Sequence, residues 1–259
     1  MIVLAIGDVV GSAGCEYLRR VLPSLKREHG VDLVVANGEN AHDGNGLLPA
    51  DAEHLLASGV DVVTGGNHTF RQKGVWDLLD ESERVLRPAN YPDAAPGRGF
   101  ALVDMGYLTV AVLNLMGTAF LEPLACPFEA ADRLVERAGR EGARIILVDF
   151  HAEATAEKKA LGFYLDGRVS ALFGTHTHVQ TSDAQILPAG TGYLTDLGMT
   201  GPAISVLGVK PEASIARMKD KLPARFVNAE GPCLLEGCLF EIDNKSGLCR
   251  SVTPVRVRE

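Results

Sequence analysis

Gly65-Gly66-Asn67-His68 and Gly174-Thr175-His176-Thr177-His178 each follow a short apolar run, Asp61 to Thr64 before the first and Val169 to Phe173 before the second. Runs this short that end at glycine read as buried strands. In open α/β sheets the loops beyond the carboxyl ends of strands gather at one rim and form the ligand site. Polar residues that directly follow strands are therefore the ones to collect. Asp8 ends the first strand, Ile2 to Ile6, in Gly7-Asp8-Val9-Val10-Gly11. Glu39 and Asn40 follow Asp32 to Ala36 in Asn37-Gly38-Glu39-Asn40, and His151 follows Ile145 to Phe150. Five strands thus deliver Asp8, Glu39, Asn40, Asn67, His68, His151, His176 and His178 to one edge.

Between these strands the apolar spacing turns helical. After Gly14, Leu18, Val21, Leu22 and Leu25 share one face of a helix, Pro49 opens a helix through Leu55, and Val75 to Leu79 lies on a third. Pro88 to Gly99 reads as a long loop. Ala101 to Val103 and Thr109 to Leu115 form strands around Gly106, and Phe128 to Arg140 and Glu153 to Leu161 are helices. The later chain is richer in strand, with Cys233 to Ile242 and Cys249 to Val257 paired around Asn244 to Gly247 and a helix at Pro211 to Lys221. Successive βα units followed by a β-rich half argue for an α/β sandwich with mixed sheets. Nothing divides the chain, so residues 1–259 form one expected domain, with 190–225 as an expected lid.

Taken singly, the strand-end residues have ordinary readings: Asp8 and Glu39 suit turns or helix caps, and His151 suits a hydrogen-bonded core position. Their coincidence points to chemistry. Carboxylate, amide and imidazole donors together favour Fe, Mn, Zn or Ni over Ca or a thiolate-held structural Zn. Alternate residues of an extended segment share a face, so His176 and His178 can serve two neighbouring ions. Two ions roughly 3.5–4 Å apart can clamp a phosphate and acidify a water. Glu39 is the natural bridge between them, and His68, beside a ligand, can give a proton to the leaving alkoxide. His29, His42 and His54 lie in polar or helical stretches and need no functional reading.

The formal net charge of -8 argues against a broad grip on long nucleic acid. A small phosphorylated substrate stays open, because bound cations reverse the local sign. The cysteines number five, an odd count without a Cys-x-x-Cys pair, which suits reduced thiols in the cytoplasm. The apolar start meets Asp8 at once and reads as a strand instead of a leader. No apolar run nears the ~20 residues that cross a bilayer. A cytoplasmic location is expected; oligomeric state is left open.

The clusters resemble the calcineurin-like metallophosphoesterase superfamily, whose pattern is Asp-x-His, a bridging Gly-Asp, Gly-Asn-His, a lone His and Gly-His-x-His. Gly66-Asn67-His68 and the His176–His178 motif match, whereas Val10 replaces the first His and Glu39 the bridging Asp. These departures, together with Asn37-Gly38-Glu39-Asn40-Ala41, Asp149-Phe150-His151-Ala152-Glu153-Ala154-Thr155 and Thr195-Asp196-Leu197-Gly198-Met199-Thr200-Gly201, are similar to YmdB-type bacterial phosphodiesterases. The resemblance implies a four-layer α/β/β/α sandwich with a di-iron or similar site, Mn and Zn being the alternatives. One ion would take Asp8, Glu39, Asn40 and His178. The other would take Glu39, Asn67, His151 and His176, with His68 as proton donor. It also implies hydrolysis of small cyclic nucleotides, 2′,3′-cyclic forms above all. Phosphomonoesters, 3′,5′-cyclic forms or RNA are alternative substrates, and a nucleotide-binding regulator with little turnover is the reading of a different class. Because Asn40 replaces the ligand lost at Val10, Asn40→Ala is expected to weaken one metal site selectively. Elemental analysis showing equal loss of both ions, or of neither, would contradict the assignment.

Overall fold

The computed structural model describes residues 1–223 and 225–259. Its strands are β1 Ile2–Ile6, β2 Asp8–Val9, β3 Leu33–Asn37, β4 Val62–Thr64, β5 Phe100–Asp104, β6 Thr109–Met116, β7 Ile145–His151, β8 Ala171–Thr175, β9 Gln185–Ile186, β10 Gly192–Leu194, β11 Met199–Pro202, β12 Cys233–Ile242 and β13 Cys249–Arg258. The helices are α1 Gly11–His29, α2 Pro49–Ala57, α3 Trp76–Glu81, α4 Pro127–Arg140, α5 Thr155–Tyr164 and α6 Pro211–Asp220. One sheet runs β2-β11-β12-β1-β3-β4 with β13 beside β12, and the other runs β5-β6-β7-β8-β10-β9. Both are mixed: β1-β3-β4 and β6-β7-β8-β10 are parallel, while β12 lies antiparallel to β1 and β5 antiparallel to β6.

The apolar strands are buried on both faces, which is why they read as continuous runs instead of alternating ones. Leu4 and Ile6 of β1, with Val34 and Ala36 of β3, face Leu18, Leu22 and Leu55 of α1 and α2. Their neighbours Val3, Ala5, Leu33 and Val35 face the other way, into a layer shared with Val110, Val112, Ile145, Leu147 and Phe240. Ala111, Leu113, Ile146 and Val148 of the second sheet face Ala130, Ala131 and Leu161 of α4 and α5. Helices, sheet, sheet and helices therefore stack in four layers around three apolar cores, as the resemblance implied.

Toward the carboxyl ends of the parallel strands the layer between the sheets turns polar. Val110 and Val112 are succeeded on their face by Asn114, Ile145 and Leu147 by Asp149 and His151, and Leu33 and Val35 by Asn37. Asn37, Asn114, Asp149 and His151 are all buried. The site gathers where strand ends of both sheets meet, and this corrects the expectation of a single sheet rim.

Three further expectations change. Asp8 does not end the first strand: the chain steps sideways at Gly7, and Asp8–Val9 forms a separate strand beside β11. The first helix begins at Gly11, ahead of Gly14. The expected lid over 190–225 shrinks, because β10 and β11 lie within it as strands of the two sheets, and strand pairing fixes them in place. No helix among the described residues is long and apolar enough to cross a membrane. Phe240 of β12, buried against Phe173 at a ring separation of 5.8 Å, joins the two sheets. Phe240→Ala is expected to cost about 3–5 kcal/mol of stability, read as a lowered denaturant midpoint with an unchanged slope.

Candidate metal centre and catalytic cleft

Two carboxylates organise the site. Glu39, 1% exposed, accepts the backbone N–H of His68 at 2.7 Å through Oε2 and lies 3.1 Å from His151 Nε2 through Oε1. Asp8, 0% exposed, accepts the backbone N–H of His176 at 3.0 Å and the Asn40 amide at 3.3 Å. The loops after β4 and β8 are thus folded onto carboxylates supplied by the other strands.

Their local shape follows from close approach. A Cβ on Gly66 would collide with the His151 ring and the Glu39 carboxylate, so only glycine lets the Asn67-His68 backbone pass. His176 and His178 sit at φ 102° and 61°, in the left-handed region. The strand turns sharply there, and both imidazoles reach the same site. A buried ion pair outside the cluster holds this turn. Lys158 Nζ donates to the Thr175 carbonyl at 2.8 Å and to Asp196 Oδ2 at 2.7 Å, and Asp196 accepts the Thr177 N–H at 3.1 Å.

His151 Nε2 has three acceptor-type neighbours: Asn67 Oδ1 at 2.9 Å, His176 Nδ1 at 3.0 Å and Glu39 Oε1 at 3.1 Å. Its other nitrogen, Nδ1, lies 3.0 Å from the Thr175 hydroxyl, which donates to Asp149 Oδ1 at 2.7 Å. With that hydroxyl proton committed to Asp149, Thr175 accepts from Nδ1–H, so in the neutral form of His151 Nε2 presents a lone pair to the other donors. Lone pairs gathered this closely repel unless a cation lies among them. Ligand atoms of Glu39, His151 and His176 all fall within 4.8 Å of one another, and this set fits a divalent ion.

A second group adjoins the first through Glu39. His178 Nε2 lies 3.2 Å from the Asn40 amide and 3.6 Å from Asp8 Oδ1, while its Nδ1–H donates to the Leu207 carbonyl at 3.2 Å. His176 presents Nδ1 inward because Nε2 pairs with Glu153 at 3.0 Å. Each imidazole is turned by an outer partner, an arrangement that fixes metal-ligating histidines. His68 stands at the edge, its Nδ1 2.7 Å from Asn40 Oδ1 and its side chain 28% exposed.

A family model described as YmdB-like protein matches residues 4–255. The chain belongs to the YmdB-like family. It is 47% identical, over 95% of its length and 93% of the relative's, to a Bacillus subtilis (strain 168) protein named 2′,3′-cyclic-nucleotide 2′-phosphodiesterase. A crystal structure of a hypothetical protein from Thermus thermophilus superposes with a TM-score of 0.94 at 43% identity, covering 100% of both chains. A putative 5′-nucleotidase from Staphylococcus aureus shares the fold alone, with TM-score 0.58, 15% identity, 98% of this chain and 54% of that one. The fold is the metallophosphoesterase sandwich.

All eight residues singled out in the sequence lie together in this YmdB-like chain. Spacing and residue type gave no role to Asn37, Asp149, Glu153, Lys158, Thr175 or Asp196. A signal existed for Asp149: two positions before His151 on one strand, it must share that face. No spacing in the sequence announces Lys158 with Asp196.

The electrostatics follow from burial set against opposite charge. Burial disfavours the cationic form of His151, yet the Glu39 and Asp8 carboxylates outweigh it and raise its pKa to about 9. Burial also opposes charge on His178, where Asp8 again prevails and raises it. His176 moves the other way, down to about 4, through burial and the neighbouring His151 cation. Burial lowers His68, with Glu39 opposing. Burial pushes Asp149 up to about 6 against its hydroxyl donors. A proton on His151 therefore takes the place of a cation when no metal is bound. Because the folded pKa is raised above 6.5, the stability it contributes is full below pH 6.5 and is lost as pH rises through about 9. Metal-free protein is expected to melt progressively lower across that window. Saturating divalent metal should flatten the trend; a trend that survives metal loading would refute the assignment.

Proposed function

We propose that the chain is a dinuclear metal-dependent phosphodiesterase that hydrolyses small cyclic nucleotides, 2′,3′-cyclic forms above all. The observation that carries the reading is Glu39, a buried carboxylate lying between two groups of donor atoms. Asp8, Glu39, Asn40 and His178 would hold one ion, and Glu39, Asn67, His151 and His176 the other. Iron is the proposed resident metal, with Mn and Zn as alternatives that the same donors accept. The name of the Bacillus subtilis relative supports the substrate class. A cytoplasmic setting is proposed with it, supported by cysteines that are all free, four of them buried.

Bound divalent ions would neutralise phosphoryl charge and acidify a water near neutral pH. The residues of the chain supply the rest. Asn37 braces Glu39 by accepting its backbone N–H at 3.1 Å, and Asp8 and Glu39 keep the amides of His176 and His68 turned inward. Asn40 links the donor cluster to His68. If its amide oxygen faces a cation, its amide nitrogen donates to His68 Nδ1, and Nε2 becomes the protonated nitrogen of a neutral imidazole. The lowered pKa of His68 suits that neutral form. Nε2–H then stands at the cleft edge to protonate the departing alkoxide.

Protein purified without added metal is expected to contain close to two ions and to cleave 2′,3′-cyclic AMP faster than 3′,5′-cyclic AMP, a phosphomonoester or an oligonucleotide. His68→Ala should lower kcat by roughly 10²-fold or more while metal content stays unchanged. Metal-replete, folded protein that cleaves none of these substrates would overturn the reading.

A further inference from the structure

A cleft of about 700 Å³ opens beside His68, and its lining includes Asn45, Arg71, Gln72, Arg217, Phe226 and Asn228. Its chemistry differs from that of the donor cluster. Two guanidiniums face it in a chain of net charge -8, and among the described residues neither Arg71 nor Arg217 pairs with a carboxylate. Phe226 is 47% exposed, and the Arg217 guanidinium lies 4.8 Å from its ring centroid. An apolar ring that is held at a cleft instead of buried has a free aromatic surface to offer.

The segment bearing Phe226 is fastened in place. Lys210 N–H donates to the Val227 carbonyl at 2.9 Å, and Ala229 N–H donates to the Gly208 carbonyl at 2.8 Å. Asn228 fills the space beside Gly11 and Gly44, where a Cβ on either would strike its amide. The adjoining turn between Val206 and Val209 contains Leu207, whose carbonyl accepts from His178. The aromatic ring is therefore tied to the same histidine loop that completes the donor cluster.

We propose that this cleft is the nucleobase subsite, with Phe226 and Arg217 forming a stacking platform for the planar base and Arg71 facing the phosphate side near His68. Aromatic rings and guanidinium planes both stack on bases, because every base presents a π-face. Gln72 donates its amide to the Asn45 carbonyl at 3.1 Å, which fixes its side-chain oxygen as an acceptor on the wall of the cleft. The proposal rests on the hydrolase reading for what the phosphate meets, but the subsite can be tested without turnover.

The experiment uses the metal-loaded full chain and three probes: 2′,3′-cyclic AMP, base-free glycerol 1,2-cyclic phosphate, and adenosine, which has no phosphate. Adenosine is expected to bind the unaltered protein by calorimetry and to compete with 2′,3′-cyclic AMP. Phe226→Ala should raise KM for 2′,3′-cyclic AMP about tenfold and weaken adenosine to match, the scale of one lost base stack. Its kcat, and its rate on glycerol 1,2-cyclic phosphate, should stay within about twofold, since uniform binding is what is removed. Phe226→Trp should retain binding, and Arg217→Gln should shift adenosine in the same direction by less. Equal effects on the two cyclic phosphates, or no adenosine binding to the unaltered protein, would overturn the subsite. Adenosine binding lost in Phe226→Ala, in a protein that cleaves nothing, would support the subsite and sink the hydrolase reading alone.

Discussion

Glu39 carries a carboxylate where water hardly reaches, and the rest of the site is arranged to keep that charge bearable. A buried charge is costly unless it is paired and hydrogen-bonded. Here the compensation comes from the backbone N–H of His68 and, with no metal bound, the protonated His151 imidazole, with the Asn40 amide at 3.5 Å. Asp8 repeats the arrangement with the His176 N–H and the Asn40 amide. Each carboxylate bends a loop from a distant strand onto itself, so neutralising the charge and positioning the donor groups are one event. The excess of negative and lone-pair character that remains is what a cation would satisfy.

The layer between the sheets makes such a site possible. Over most of its length it is aliphatic and holds the sheets together. At the carboxyl ends of β3, β6 and β7 the same face turns to Asn37, Asn114 and Asp149, which form a polar floor under the histidines. Asn114 receives the Gly65 N–H at 2.9 Å and returns an amide N–H to its carbonyl at 3.1 Å, so the glycine loop is held from beneath. Farther out, Lys158 and Asp196 grip the peptides on either side of His176. That pair is buried on both sides, and removing one partner would leave the other charge uncompensated. Its contribution is the position of the loop as much as its stability.

Much of the fold was legible because burial on both faces leaves a plain mark. Strands such as Ile145–His151 are too apolar and too short for anything but a covered sheet, and glycine or proline punctuates each one. The long hairpin of β12 and β13 matched its expected pairing. The misread boundaries have physical causes. Asp8 seemed to end the first strand because nothing local reveals the sideways step at Gly7 to pair with β11. The segment 190–225 looked like an appendage because β10 and β11, at three and four residues, are too short to show periodicity, and only their neighbours make them strands.

The sequence by itself determined which residues could carry the chemistry. Polar groups directly after buried strands must lie at strand ends, and their side-chain types suit ligand or proton-transfer roles as well as turns and caps. Tertiary structure alone decided how they meet. That Glu39 lies between both groups, that His176 offers Nδ1 and His178 Nε2, and that Phe226 and Arg71 line one cleft all depend on contacts between residues far apart in the chain. Spacing along a strand fixes which face a residue takes. It does not fix which distant carboxylate, hydroxyl or carbonyl will turn its ring, because that partner is chosen by how two sheets pack.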